Sequence, residues 1–270
     1  MKICSNCHTE LPEVARFCFH CGASQQNQST SRDQLAWLDN PVQYFVDEFM
    51  KILRSNVEQE QDVKEEQLYS ERLYHSGFRD TLQRRAEQFE QKAAKIKDEK
   101  EVRRQLEEMV DYFVVRHCAD LNRVPWSEAI LQYQGFSLKE IDLFQMVLDY
   151  LDFSNETETV YTDFIQMPVE KLRNAGQNYL FPEKQERILL ICDQSILGTC
   201  KEGFALTEKA LYWKAHLSNP VKVLFSNLQE IKPEKDWIKI NGHFFNANSS
   251  LNVKMMRLLK AINRVSSPLR

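Results

Sequence analysis

The sequence is poor in glycine and proline, with seven and eight of these residues among 270. A chain built from many tight turns needs more of both, so their scarcity favours a large helical content. Few glycines also leave little room for the glycine-rich loops that hold nucleotide phosphates, and no such loop occurs. Neither a His-Glu-x-x-His nor a Gly-x-Ser-x-Gly motif is present, and we therefore expect no enzymatic activity.

Long apolar runs are also missing. The most apolar stretch, around Ile188–Cys192, is of strand length, whereas a membrane-spanning helix needs roughly 20 apolar residues. The first ten residues, MKICSNCHTE, contain no apolar run of the kind found in secretory signal peptides. These observations predict a cytoplasmic protein without a transmembrane segment.

The net charge of −4 is unevenly distributed along the chain. The formal charge is zero over residues 1–33, −10 over residues 34–181 and +6 over residues 182–270. Such a change of sign between regions suggests separate structural units. With 270 residues, the chain is long enough for two or three of them.

Four of the seven cysteines form two Cys-x2-Cys pairs that are separated by ten residues. Two cysteines three positions apart can point both thiolates at one ion, and two such pairs complete a tetrahedral S4 shell for zinc. A shell of four thiolates leaves no open position for water, so the metal is expected to be structural. We predict one zinc ion per chain, with the ligands Cys4, Cys7, Cys18 and Cys21.

Residues 1–24 resemble the short zinc ribbon found at the N-terminus of many bacterial multidomain proteins. The resemblance rests on the segments Cys4–Cys7, Leu11–Pro12, Ala15–Cys18 and Cys21–Gly22. His8 departs from the pattern. It follows Cys7 at the position that Gly22 occupies after Cys21 in the second cysteine pair. His8 and His20 each adjoin a cysteine and are expected to face solvent rather than to bind the metal.

Nucleic-acid binding by the ribbon would depend on basic side chains that contact phosphate. The ribbon offers only Lys2 and Arg16, and four metal-bound thiolates make its local charge more negative. Contact with a protein is therefore favoured. The three remaining cysteines, Cys118, Cys192 and Cys200, are expected to be buried thiols.

Residues 25–33 belong to a polar run without large apolar side chains and are predicted to form a flexible linker. Residues 34–153 show helical periodicity. Leu82, Phe89 and Ile96 stand seven apart, with Ala86 and Ala93 between them. Such short heptad-like seams fit either a long helical hairpin or a parallel coiled coil, so oligomerisation through this region remains open.

A second helical group follows Pro125. Ser137 and Glu140 form a predicted capping box ahead of an apolar stripe. The charge run Lys95–Glu101 is interpreted as a solvated helix face. Residues 154–184 are less regular and are predicted to form a connector.

Seven short apolar or alternating runs, separated by turn residues, occur within residues 187–247. Asn241-Gly242 lies between two of them and is a strong hairpin signal. Ser249-Ser250 is predicted to cap a final helix. The expected fold class is therefore multidomain α+β, with a zinc ribbon, a helical and partly coiled-coil-like middle, and a C-terminal β domain over residues 185–265.

The C-terminal domain resembles the pleckstrin-homology-like domain of bacterial proteins, chiefly in the hairpin Gly203–Trp213. The resemblance implies a small β-barrel capped by a helix, which serves as a non-enzymatic scaffold for peptides, lipids or other subunits. We expect Leu211, Trp213 and Ala215 to point into its core, and Tyr212 and Lys214 to face solvent.

The sequence thus favours a non-enzymatic, zinc-binding interaction or adaptor protein with a protein partner. The alternative is a nucleic-acid-associated regulatory factor that uses the ribbon and the basic C-terminal domain together. A lipid headgroup is a further candidate ligand. The lysines it would need are scattered singly in the sequence, at Lys201, Lys209, Lys214 and Lys222.

Overall fold

The computed structural model describes residues 2–3, 9–11, 37–60, 66–96 and 98–266. Its helices are α1 (Pro41–Glu60), α2 (Glu66–His75), α3 (Phe78–Ala93), α4 (Glu99–His117), α5 (Leu143–Leu151), α6 (Val169–Asn178) and α7 (Ser249–Ser266). Its strands are β1 (Lys2–Ile3), β2 (Glu10–Leu11), β3 (Thr159–Tyr161), β4 (Ile188–Asp193), β5 (Gly203–Thr207), β6 (Ala210–Lys214), β7 (Val221–Leu224), β8 (Ile231–Pro233), β9 (Ile238–Ile240) and β10 (His243–Phe245).

The described residues between 37 and 118 form a helical bundle in which α1 packs against both α3 and α4. The α1 helix begins at Pro41, where proline is well tolerated because the first turn has no intrahelical partner for its N–H. In the predicted seam, Leu82, Ala86, Phe89 and Ala93 of α3 are buried in the bundle core, whereas Ile96 lies beyond the end of α3 and is partly buried against that core. Their partners are supplied by α1 and α4 of the same chain.

The capping box of Ser137 and Glu140 is present, but it caps the N-terminus of a short 3-10 turn, Leu138–Glu140. The helix behind it, α5, begins later because the Asp142 carboxylate accepts hydrogen bonds from the N–H groups of Phe144 and Gln145. The apolar stripe of α5 packs against α7. The predicted helical region therefore contributes to two cores, one within residues 37–118 and another that contains Val115 of α4 together with residues from Ile130 onward.

The C-terminal strands form two antiparallel sheets, with the orders β3-β4-β5-β6-β7 and β10-β9-β8. The predicted closed barrel is wrong for the part of the chain that the structure describes. After β7 the chain enters a 3-10 turn, Phe225–Asn227, which interrupts the ladder before β8. The two sheets are joined through side chains, and the Trp213 indole donates a hydrogen bond to the Phe244 carbonyl over 2.8 Å.

Residues 154–184, predicted as a connector, contain β3, which is the edge strand beside β4 in the five-stranded sheet, and α6, which packs on that sheet. The α6 helix helps to bury the second face of the sheet. Leu211 and Trp213 lie in the core between the sheets, as predicted, whereas Ala215 follows the end of β6 and is only partly buried. Tyr212 was expected to face solvent but is only 1% exposed, because its ring packs among Tyr179, Leu180 and their neighbours.

The Asn241-Gly242 turn is confirmed, with φ angles of 49° and 80° between β9 and β10. The cap of α7 is formed by Asn248 rather than by the serines that follow it, because its side-chain oxygen Oδ1 accepts a hydrogen bond from the Leu251 N–H over 2.7 Å. None of the helices in the described ranges combines the length and the apolar character needed to cross a bilayer.

Candidate metal centre and basic cleft

The N-terminal strands β1 and β2 pair in antiparallel register, with Lys2 opposite Leu11 and Ile3 opposite Glu10. Cys4 and Cys7 belong to the segment that links these strands, and Cys18 and Cys21 follow β2 in the sequence. All four cysteines, like His8 and His20, lie outside the described residues. Their donor chemistry fits zinc, because thiolates are preferred ligands of this ion. The ligand set therefore stays a prediction.

The other three cysteines are free and buried, as predicted. Burial raises the pKa of Cys118 to about 12 and that of Cys200 to about 11, and it raises the pKa of Cys192 still further. Cys192 packs between the two sheets, whereas Cys200 packs beneath α6. Thiols of this kind stay protonated at neutral pH and are poor nucleophiles.

A cleft of about 700 Å³ lies between the helical bundle and the sheet unit (residues 128–266). Its walls come from α1, α4 and α7 and from the chain around β8. We call it the basic cleft, because seven basic and only three acidic residues line it. The basic residues are Lys51, Lys100, Arg103, Arg104, Arg257, Lys260 and Arg264, and the acidic residues are Glu48, Glu107 and Asp111.

Each acidic side chain of the cleft is bound to a basic one. Lys51 lies 2.8 Å from Glu48, and Arg103 lies 2.9 Å from Glu107. The third pair, Arg264 with Asp111, is mostly buried and joins α7 to α4. Burial alone would lower the pKa of Arg264, but the Asp111 carboxylate raises it, so the guanidinium stays charged.

Arg104 lies on the α4 wall and is only 7% exposed. Its Nε donates to Glu108 over 3.1 Å, and its Nη2 donates to the Phe136 carbonyl over 2.7 Å. Its Nη1 is buried and finds no hydrogen-bond acceptor among the described residues. Sequence reasoning missed this residue. The available signal was the spacing of Lys100, Arg103 and Arg104, which places all three near one side of a helix.

Large aliphatic side chains protrude from the β4–β5 and β6–β7 loops. Ile196 and Leu197 are each 85% exposed, and Leu217 is 91% exposed. The two loops lie at the same end of the five-stranded sheet, because β4, β5, β6 and β7 are successive antiparallel neighbours. We call these three residues the aliphatic tip. Nothing in the sequence pattern had marked them.

The four scattered lysines of the C-terminal part do not gather into one unopposed group. Lys209 and Lys222 both approach the Glu183 carboxylate, at 3.5 and 3.8 Å, and Lys214 donates to the Asn178 side chain over 3.3 Å. The Glu183 carboxylate therefore offsets part of the positive charge of Lys209 and Lys222 that a lipid headgroup would need at this surface.

Comparison with protein families matches residues 3–25 to a zinc-ribbon domain. The matched segment includes all four predicted ligands, and membership of this family implies zinc binding by the segment. Comparisons with curated proteins and with solved structures found no match.

Proposed function

We propose that the chain is a non-enzymatic adaptor whose N-terminal ribbon is folded by one structural zinc ion. The observation that carries the proposal is the zinc-ribbon match over residues 3–25. In this proposal Cys4, Cys7, Cys18 and Cys21 form the complete ligand shell. So small a segment cannot bury enough surface to fold alone, and metal binding supplies the missing stability.

The proposal extends to the C-terminal part, which we regard as a pleckstrin-homology-like scaffold. Two antiparallel sheets enclose a core that is closed by the long terminal helix α7, and this arrangement supports the resemblance. Scaffolds of this kind present loops for binding and need no catalytic groups.

We assign the binding of a partner protein to the aliphatic tip. Single exposed apolar residues are common on protein surfaces, but Ile196, Leu197 and Leu217 are three fully presented aliphatic side chains from two adjacent loops. Burial of such side chains against a partner removes apolar surface from water, at roughly 25 cal/mol per Å². The tip therefore supplies the apolar centre of an interface.

Affinity capture from the native host tests this assignment. The bait proteins are the full-length chain, the Ile196→Asp/Leu197→Asp double variant and a Leu68→Asp control. Leu68 is a partly exposed leucine on α2, far along the sequence from the tip. We expect one specific protein to be retained by the parent and the control, confirmed by reciprocal capture, and reduced at least about tenfold by the double variant. Identical recovery by all three baits would contradict the assignment.

A further inference from the structure

We propose that the basic cleft binds a small ligand that carries two or more phosphate groups. None of the described residues that line it belongs to the ribbon segment or to the aliphatic tip, and the proposal goes beyond the adaptor function. Its volume of about 700 Å³ lies within the range of pockets that hold small molecules and cofactors.

The charge of the cleft favours an anion. Seven basic residues face three acidic ones across walls that come from both parts of the molecule. The three acidic groups are bound to Lys51, Arg103 and Arg264, and Arg104 is bound to Glu108 outside the lining, so the lining keeps a net positive charge after these pairs are counted. Low-dielectric walls that carry an excess of charge of one sign concentrate the electrostatic potential inside a cleft.

Arg104 provides an independent argument. Two of its guanidinium nitrogens are held by Glu108 and by the Phe136 carbonyl, so the orientation of the group is fixed before any ligand arrives. The remaining nitrogen, Nη1, is buried without an acceptor within the described part of the chain. A buried donor in that state is costly. Because Nη1 is shielded from solvent, a phosphate oxygen in the cleft reaches it only after a small movement of the Arg104 side chain, and the hydrogen bond then formed is charge-assisted.

The cleft lies between the helical bundle and the sheet unit, so a bound ligand can affect how the two pack together. Lys51 and Arg104 belong to the helical bundle, whereas Lys260 belongs to α7 of the sheet unit. A ligand with two phosphate groups can contact both walls at once. Binding is therefore expected to stabilise the packing of the bundle against the sheet unit and to raise the melting temperature of the whole chain.

Isothermal titration of the full-length protein with sodium pyrophosphate tests the proposal. The test variant is Lys51→Gln/Lys100→Gln, which removes two charges from outer positions of the cleft with little risk to the fold. Lys139→Gln, an exposed lysine outside the cleft, is the matched control. We expect the double variant to bind at least about tenfold more weakly and the control to stay within about twofold of the parent.

Arg104→Met tests the buried donor itself and is expected to abolish pyrophosphate binding. Because Arg104 also holds the Phe136 carbonyl, its fold is checked by circular dichroism, and the lysine variant decides the matter if Arg104→Met does not fold. Absence of binding at millimolar pyrophosphate, or equal binding by the parent and the lysine variant, would overturn the proposal.

The source of the phosphate groups is decided by a second arm with vesicles that contain a phosphatidylinositol phosphate. If the parent protein sediments with these vesicles and the lysine variant does not, the ligand is a lipid headgroup. If the parent protein does not sediment with them, the ligand is a soluble molecule. Both outcomes support the site, provided that pyrophosphate binds. Binding of a short single-stranded oligonucleotide without any binding of pyrophosphate would instead contradict it.

Discussion

The ammonium nitrogen of Lys254 lies 2.6 Å from a carboxylate oxygen of Glu156, and the two side chains are only 3% and 4% exposed. The same ammonium donates to the Asp152 carbonyl, and the carboxylate also accepts hydrogen bonds from Asn248 and Ser250. The pair connects the start of α7 with the chain that follows α5. Its groups are well satisfied, so it fixes this junction without leaving a buried charge unpaired.

Removal of one member of this pair should destabilise the sheet unit strongly. Glu156→Ala leaves a buried ammonium without a counter-charge, and we expect the free energy of unfolding to fall by about 3–5 kcal/mol. The Glu156→Leu/Lys254→Met double variant should lose less than the single variant, because it leaves no charge behind. Urea denaturation measures both.

The exposed pair of Lys232 and Glu230 provides the control for that experiment. Lys232→Met should change stability little, because surface ion pairs contribute little. Equal losses for Glu156→Ala and Lys232→Met would show that the buried pair has no special role.

Two carboxylates with lowered pKa values, those of Glu156 and Glu186, predict a loss of stability in acid. Burial alone would raise the pKa of Glu156, but hydrogen bonds from Lys254, Asn248 and Ser250 hold it below the ordinary value of 4.5. The pKa of Glu186 is lowered in the same way against its burial, chiefly by Thr207. A lowered pKa in the folded state means that the stabilisation is complete above pH 4.5 and is lost as the pH falls through the folded-state value.

Denaturation midpoints measured from neutral pH downward check the pH dependence. We expect a plateau above pH 4.5 and a steady fall below it, with a shallower fall for Glu156→Gln than for the parent. A Glu156→Gln protein with the same acid dependence as the parent would contradict the role of this carboxylate.

Both faces of β6 should be sensitive to truncation. Trp213 fills the core between the sheets, and Tyr212 fills the core beneath α6 and donates to Glu186. We expect Trp213→Ala and Tyr212→Ala each to cost about 3–5 kcal/mol, and Tyr212→Phe to cost about 1–3 kcal/mol through the lost hydrogen bond. Thermal melting followed by circular dichroism compares the three. A mild effect of Tyr212→Ala would mean that α6 does not cover the sheet.

Gly203 and Gly176 form a matched pair for the same substitution. Gly203 has a φ of 138°, and a Cβ there would lie 2.1 Å from the Cys192 carbonyl oxygen, which belongs to the backbone. Gly176 lies within α6, and a Cβ there would meet nothing within 4 Å. Gly203→Ala should destabilise the protein, whereas Gly176→Ala should stabilise it by about 0.5–1 kcal/mol. A stable Gly203→Ala protein would argue against the observed pairing of β4 with β5.

Local signals in the sequence predicted much of the fold. The Asn241-Gly242 turn and the capping box of Ser137 depend on neighbouring residues alone, and both are present in the structure. The burial of Tyr212 could not be predicted in this way, because it depends on α6 from another part of the chain. The basic cleft could not be predicted for the same reason, since Arg104 and Lys260 line one cleft only after the bundle and the sheet unit have packed together.

The central claim concerns the metal, and mass spectrometry of the full-length protein under native conditions tests it most directly. We expect one zinc ion per chain in protein purified without chelators. The Cys4→Ser/Cys18→Ser variant should contain none, because each half of the thiolate shell then lacks a ligand. A Cys118→Ser protein should retain its zinc, since that buried thiol packs within the helical bundle. A parent protein without zinc, or zinc retained by the double variant, would contradict the account.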